Sequence, residues 1–148
     1  MKNKRFLHQN CLLLFVFAFC VGLSLQACGQ NHSHQNERKS MINYERISDP
    51  VARKALQAWQ EADRTRWKSM FADDASLTDD GHPRDLEDFS NNAIGDEYFL
   101  TIDKIEDHGR TVTGQFHTKK YGDFIARFHF EINDAGKIFR LDIGMVGH

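Results

Sequence analysis

Residues 71–81 read FADDASLTDDG and set four carboxylates, Asp73, Asp74, Asp79 and Asp80, within eight positions. A carboxylate held in apolar surroundings loses solvation of its charged form, its pKa rises, and it can take a proton from a substrate carbon. Asp79 and Asp80 follow the apolar-alternating ASLT and are the pair placed to do this, with Asp79 as the candidate base. Asp73 and Asp74 precede that strand and are expected to be turn or cap residues. His82 lies close enough to Asp79 in sequence to pair with it, and otherwise reads as a surface turn residue. The chain has no Ser-His-Asp grouping, no phosphate loop and no metal-ligand cluster, so the chemistry expected of it uses neither metal nor cofactor. His32 and His34, in a polar stretch, read as solvated residues.

These carboxylates need elements to position them. SDPVARKALQAWQEAD carries Ser48 or Asp49 as a cap, Pro50 in the first turn, and Val51, Ala55, Leu56, Trp59 and Ala62 at helical spacing. DRTRWKSMF reads as a second helix capped by Asp63, with Trp67, Met70 and Phe71 on one face. PRDLEDFSNNAIG reads as a third, starting at Pro83, burying Leu86, Phe89 and Ala93 and ending at Gly95. After Gly95 the period becomes two. EYFLTIDKIED is a strand with a bulge expected near Lys104. TVTGQFHTKK turns Val112, Gly114 and Phe116 to one side. FIARFHFEI does the same with Phe124, Ala126, Phe128, Phe130 and Ile132, leaving Arg127, His129 and Glu131 opposite. KIFRLDIGM is expected to bury Phe139, Leu141, Ile143 and Met145. Helices followed by a four-strand antiparallel meander make an α+β fold, three helices on one face of a curved sheet. The aromatic residues Trp59, Trp67, Phe71, Phe89 and Tyr98 are the expected walls of any ligand pocket, or else plain core.

The N-terminus has its own logic. Lys2, Lys4 and Arg5 precede the apolar run CLLLFVFAFCVGLSL, from Cys11 to Leu25. A basic start, a short apolar stretch and a small-residue exit make a secretory signal. The exit LQAC resembles a bacterial lipobox, which implies cleavage after Ala27 and acylation of Cys28. The expected organisation is a signal over 1–27, a polar tether over 28–41 and one domain over 42–148, held at the bacterial cell envelope by the Cys28 lipid. The other two of the three cysteines, Cys11 and Cys20, lie inside the signal, so no disulfide is expected. Loss of the three basic residues would leave the remainder about five charges negative, since the full chain has 19 Lys+Arg and 21 Asp+Glu. That balance argues against nucleic acid as a partner.

The order of elements, with FADDASL after a Trp-containing helix pair and NDAGKIFRLDIG at the end, resembles the nuclear transport factor 2-like superfamily, and within it the SnoaL-like and ketosteroid-isomerase-like members. The resemblance covers nearly all of 42–148. It implies a cone, a bent sheet (cystatin-like α+β roll) wrapped around helices with an apolar pocket at the wide end. Matched residue by residue, the isomerase's general base falls on Asp79. Its oxyanion-binding Tyr and acid fall on Ala55 and Phe128, which cannot donate a hydrogen bond, so steroid isomerisation by the familiar route is not expected. Three functions stay open: binding of a small apolar ligand in the cone, acid–base catalysis of the isomerase, cyclase or dehydratase type by Asp79, and homodimerisation through the outer sheet face.

Overall fold

The computed structural model describes residues 42–147. The expected signal over 1–27, the expected acylation at Cys28 and the expected tether over 28–41 lie outside these described residues. Among the described residues no helix is long and apolar enough to cross a membrane.

After a 3-10 turn over Tyr44–Arg46, two α-helices precede the first two strands and a third follows them. Helix α1 (Pro50–Gln60) starts where Asp49 Oδ1 accepts hydrogen bonds from the backbone N–H groups of Val51 and Ala52, and Pro50 occupies a position whose N–H would be orphaned. It buries Ala52, Ala55, Leu56, Ala58, Trp59 and Gln60. It stops before Ala62, which takes a left-handed φ of 57°. Helix α2 (Arg64–Ser69) is capped by Asp63, as its sequence predicts. Helix α3 (Leu86–Ala93) begins later than Pro83, because Asp85 caps it through the Asp88 N–H.

The strands are β1 (Phe71–Asp79), β2 (His82–Arg84), β3 (Glu97–Phe99), β4 (Lys104–Glu106), β5 (Thr111–Thr118), β6 (Gly122–Ile132) and β7 (Ile138–Met145). They form one sheet in the order β2-β1-β7-β6-β5-β3, with β4 also on β5. The meander from β3 to β7 is antiparallel throughout. The β1–β7 pair is parallel, which makes the sheet mixed.

Four local expectations give way. First, β1 is nine residues long, so Asp73 and Asp74 are not turn residues. They lie exposed in a stretch of β1 that bulges out of the ladder, where five steps from Phe71 to Ser76 match two steps of β7, from Ile138 to Arg140. Second, His82 and Pro83 belong to β2, the outermost strand. Asp80 and Gly81, with φ of 49° and 78°, make a two-residue hairpin turn, and Pro83 is tolerated because an edge strand leaves N–H positions unused. Third, EYFLTIDKIED is broken into β3 and β4 by an arch over 100–103. The arch is tied down by Leu100 N–H to Gln115 O (2.7 Å) and Asp103 N–H to Thr113 O (2.9 Å). The irregularity therefore sits just before Lys104, directly over Gly114. Fourth, Phe139 is the extra residue of a bulge in β7, because Ile138 pairs with Ile132 and Arg140 with Glu131. Phe139 is thereby turned out, 40 % exposed, and Ile138 is turned in.

The inner face of the sheet behaves as its alternation predicts. Val112, Phe116, Ala126, Phe128, Phe130, Leu141 and Ile143 are buried against the helices. The centre is aromatic: Phe128 meets Trp59, Phe99 and Phe116 at ring centroid distances of 5.5, 5.0 and 5.4 Å. Gln60 is one of four buried polar residues among those described, with Ser90, Thr111 and Thr118. Its amide bonds both ways to the backbone of Phe99 (Nε2 to O, 3.0 Å; Phe99 N to Oε1, 2.7 Å), so it stands in for a neighbouring strand and fixes β3 on α1.

Candidate functional site

The turn after β1, the start of β3, helix α3 and the inner faces of β5, β6 and β7 enclose a cavity of about 610 Å³. Its floor is Phe116, Phe124, Ala126, Phe128 and Ile143, and Phe89 and Ala93 of α3 form one wall. Polar groups stand on the rim: Asp79 at the end of β1, Glu97 at the start of β3, and Arg84 at the end of β2. The size lies in the range of small-molecule sites, about 300–1,000 Å³, and the build of apolar floor with a few rim charges is theirs too.

Asp79 reaches the cavity because β1 ends in the tight Asp80–Gly81 turn. Asp80 itself is spent on that turn: its Oδ1 accepts the Met145 N–H at 2.7 Å, and its own N–H bonds to Ile143 O. Asp79 is left with Arg84, whose Nη1 is 3.4 Å from Oδ2. Arg84 also lies over the Phe89 ring, 5.9 Å from its centroid. Burial, and then the charge of Asp80, push the Asp79 carboxyl above the usual range, with Arg84 and His82 pulling the other way. His82 is the Cα partner of Asp79 across the hairpin, so the sequence neighbourhood of the two becomes a spatial one.

Glu97 was not among the residues singled out from the sequence. Its carboxyl is also held above the usual range, by burial first and then by the charges of Asp79 and Asp96, with His117 pulling the other way. The signal was present: Glu97 is two positions from Phe99, and in a strand that spacing puts both on one face. The backbone at Glu97 is fixed by Trp59, whose Nε1 donates to its carbonyl at 2.9 Å.

Of the five aromatic residues expected to wall a pocket, Phe89 lines this cavity with Asp79. Trp59 and Trp67 are each 1 % exposed and stack edge to face in the core, 5.0 Å between centroids. Trp67 and Phe71 line a separate hollow of about 680 Å³ between α2, β1 and α3. Tyr98 packs on His117, 4.9 Å between rings, on the opposite side of β5 from Phe116. Ala55 and Phe128, the positions matched to an oxyanion-binding pair, are both fully buried, and neither side chain carries a donor.

On the outer sheet face, which carries an open hollow of about 960 Å³ lined by Arg127, His129, Arg140 and Asp142, several polar side chains pair with one another. Arg140 Nε binds Asp142 (2.9 Å) and approaches Glu131 (3.6 Å), while Thr78 Oγ1 donates to Asp142 (2.5 Å). His129 Nδ1 is 2.7 Å from Thr111 Oγ1, and His117 Nδ1 is 2.6 Å from Asp123. Among the described residues no group of three or more His, Cys, Asp and Glu side chains is gathered as a metal site would need.

No protein-family model matches the chain, and no curated protein matches it in sequence. Solved structures do match. A candidate polyketide cyclase from Sinorhizobium meliloti aligns with a TM-score of 0.58 at 18% identity, over 68% of this chain and 98% of that one. An NTF2-like protein of unknown function from Cytophaga hutchinsonii aligns with a TM-score of 0.54 at 12% identity, over 71% and 91%. The chain has a nuclear transport factor 2-like fold. The orange carotenoid protein of Anabaena, in a structure binding canthaxanthin, contains the same fold: TM-score 0.53, 20% identity, 66% of this chain. This chain spans 35% of that longer protein. At such identities the likeness is one of fold, and a fold by itself does not set function.

The carboxyl of Asp79 makes a pH-dependent prediction. A pKa raised in the folded state means that the fold prefers the protonated form. Stability is then full below the unfolded pKa and falls as pH rises through the folded one. Asp79→Asn keeps the shape and removes the charge. It is expected to unfold at higher urea than wild type at neutral pH, and at the same urea near about pH 3, where the wild-type carboxyl is protonated. The lost contact to Arg84 is exposed and takes little away. Equal midpoints at both pH values would mean a solvated Asp79.

Proposed function

We propose that this domain binds a small, largely apolar molecule in the cone cavity and needs no cofactor to do so. The observation that carries the reading is the cavity itself, about 610 Å³ over a floor of three phenylalanines. A cavity of that size, with an apolar floor and charged groups on its rim, has the build of a small-molecule site. A protein that contains this fold in 35% of its length has been solved binding canthaxanthin, which supports the reading without placing the ligand in the shared part.

Saturable, single-site binding of the neutral dye Nile red is the test. Phe124→Trp adds a ring to the floor and is expected to weaken that binding about tenfold, or about 1.4 kcal/mol, in a protein that still melts cooperatively. No saturable binding by wild type, or undiminished binding by the variant, would remove the reading.

A second reading has a specific observation behind it: Asp79 stands on the cavity rim with its carboxyl held high, as a general base requires. In that case the reaction is a proton transfer of the isomerase, cyclase or dehydratase type. The oxyanion would have to be held by something other than residues 55 and 128, where Ala55 and Phe128 offer no donor.

We further propose that Cys28 carries a lipid and ties the domain to a bacterial envelope membrane. The support is the run of basic start, apolar stretch and LQAC in the sequence. Cys28→Ser is expected to leave the chain uncut and unacylated. A wild-type chain that takes up no labelled fatty acid in a Gram-negative host would remove the anchor.

A further inference from the structure

The charges around the cone mouth are not evenly partnered. Asp96 has Lys119 at 3.6 Å, Asp79 has Arg84 at 3.4 Å, and Asp80 is bonded to the Met145 N–H. Lys120 lies over the ring of Tyr121, 4.8 Å from its centroid. Glu97 has no ion pair among the described residues, although its side chain lines the cavity and Asp79 is near enough to raise its proton affinity. The mouth therefore holds one carboxylate, Glu97, with no cation within ion-pair distance among the described residues and His117 as the cation acting on it from farther off; the second, Asp79, has the exposed Arg84 at 3.4 Å and His82 across the hairpin. Phe124, partly exposed, lines the cavity below together with the almost wholly buried Phe116 and Phe128, and aromatic faces attract cations as well as apolar groups.

Resting on the reading that the cone binds a small molecule, we propose that its ligand carries a protonated amine on an apolar body, with the ammonium held by Glu97 and Asp79 and the body on the phenyl floor. A neutral head group in the same place would give Glu97 a hydrogen bond and leave its charge uncompensated, and an acidic one would set like charges together. An ammonium gives it a charge-assisted hydrogen bond in a partly dehydrated site, where such bonds are strongest.

Three probes of one shape separate this proposal from the reading beneath it: 1-naphthylmethylamine, 1-naphthalenemethanol and 1-naphthoic acid, titrated into the protein with Nile red displacement as the readout. The amine is expected to bind about tenfold tighter than the alcohol, and the acid more weakly than either. In Glu97→Gln, checked for a cooperative melt, the amine-to-alcohol ratio is expected to fall toward one. Asp79→Asn should lower the same ratio in part, so the proposal does not depend on a single variant folding. In wild type the preference should fade on acidification at a higher pH than an ordinary carboxylate would give. If the alcohol binds and the amine binds no better, amine selection is overturned while the apolar cavity stands. If the ratio survives both substitutions, Glu97 and Asp79 do not hold the amine. If none of the three displaces the dye and the dye itself does not bind, the cavity reading falls and this proposal with it.

Discussion

Gly114→Ala is expected to cost about 3 kcal/mol or more, at or beyond the upper end of ordinary overpacking. The reason is local and geometric. A Cβ at residue 114 would sit 2.0 Å from the carbonyl oxygen of Thr101, 2.9 Å from its carbonyl carbon and 3.1 Å from Ile102 Cα. All three are backbone atoms of the arch between β3 and β4, so no side chain can swing aside. Relief requires lifting the arch off β5, and that breaks the Leu100 and Asp103 hydrogen bonds to Gln115 and Thr113. Gly144→Ala is the matched control, because its Cβ would meet nothing nearer than Asp80 Oδ1 at 3.5 Å. Urea melts of the two variants are expected to differ by most of the Gly114 effect. A loss below about 1 kcal/mol at Gly114 would mean that the arch does not cross there.

Phe128→Ala is the second large effect, expected at about 3–5 kcal/mol. Phe128 is 0 % exposed and touches Trp59, Phe99, Phe116 and Phe130 by ring contacts of 5.0 to 6.4 Å. Removing it leaves four aromatic side chains that cannot all collapse into the gap, so lost transfer energy and a residual cavity add together. The measurement is the denaturation midpoint at unchanged slope. A small loss would invert the face assignment of β6, since a one-residue slip exchanges Phe128 for Arg127 or His129.

Much of this fold is readable wherever period and capping agree. Asp49 and Asp63 cap as their positions predict, and the alternation of β5 and β6 places every inward residue correctly. The readings that failed have a common cause, which is pairing that no local pattern encodes. Asp73 and Asp74 look like turn residues because they are polar and adjacent, yet they sit in a bulge of β1 whose flanks, Phe71 and Ser76, pair with a strand about 65 positions away. Phe139 fits a perfect alternation and is still turned outward, because one extra residue in β7 resets the register at its first pairing. His82 and Pro83 resemble the start of a helix, but Asp85 is the better cap and leaves them free to pair with β1.

The site divides in the same way. Asp79 was visible as a carboxylate at a strand end. Glu97 was obscured by DEYF, where one acid among two looks like a solvated turn, and only the shared face with Phe99 distinguishes it. The tryptophans misled for a different reason. A large aromatic residue at helical spacing says that a side chain is buried, and it carries no sign of whether protein or ligand covers it.

The parallel pairing of β1 with β7 has a consequence for the order in which the domain is made. Thr78 and Asp142 are hydrogen-bonded partners 64 residues apart. A ribosome has therefore delivered both helices before β1, β1 itself, the hairpin and most of the meander before the strand that completes them leaves the exit tunnel. Until Ile138–Met145 emerges, β1 has only the three-residue β2 as a neighbour, and the apolar side of α1 has an unfinished sheet to lie on. Contacts so distant in sequence make for late, slow closure, so during synthesis the first strand of this domain waits for the last.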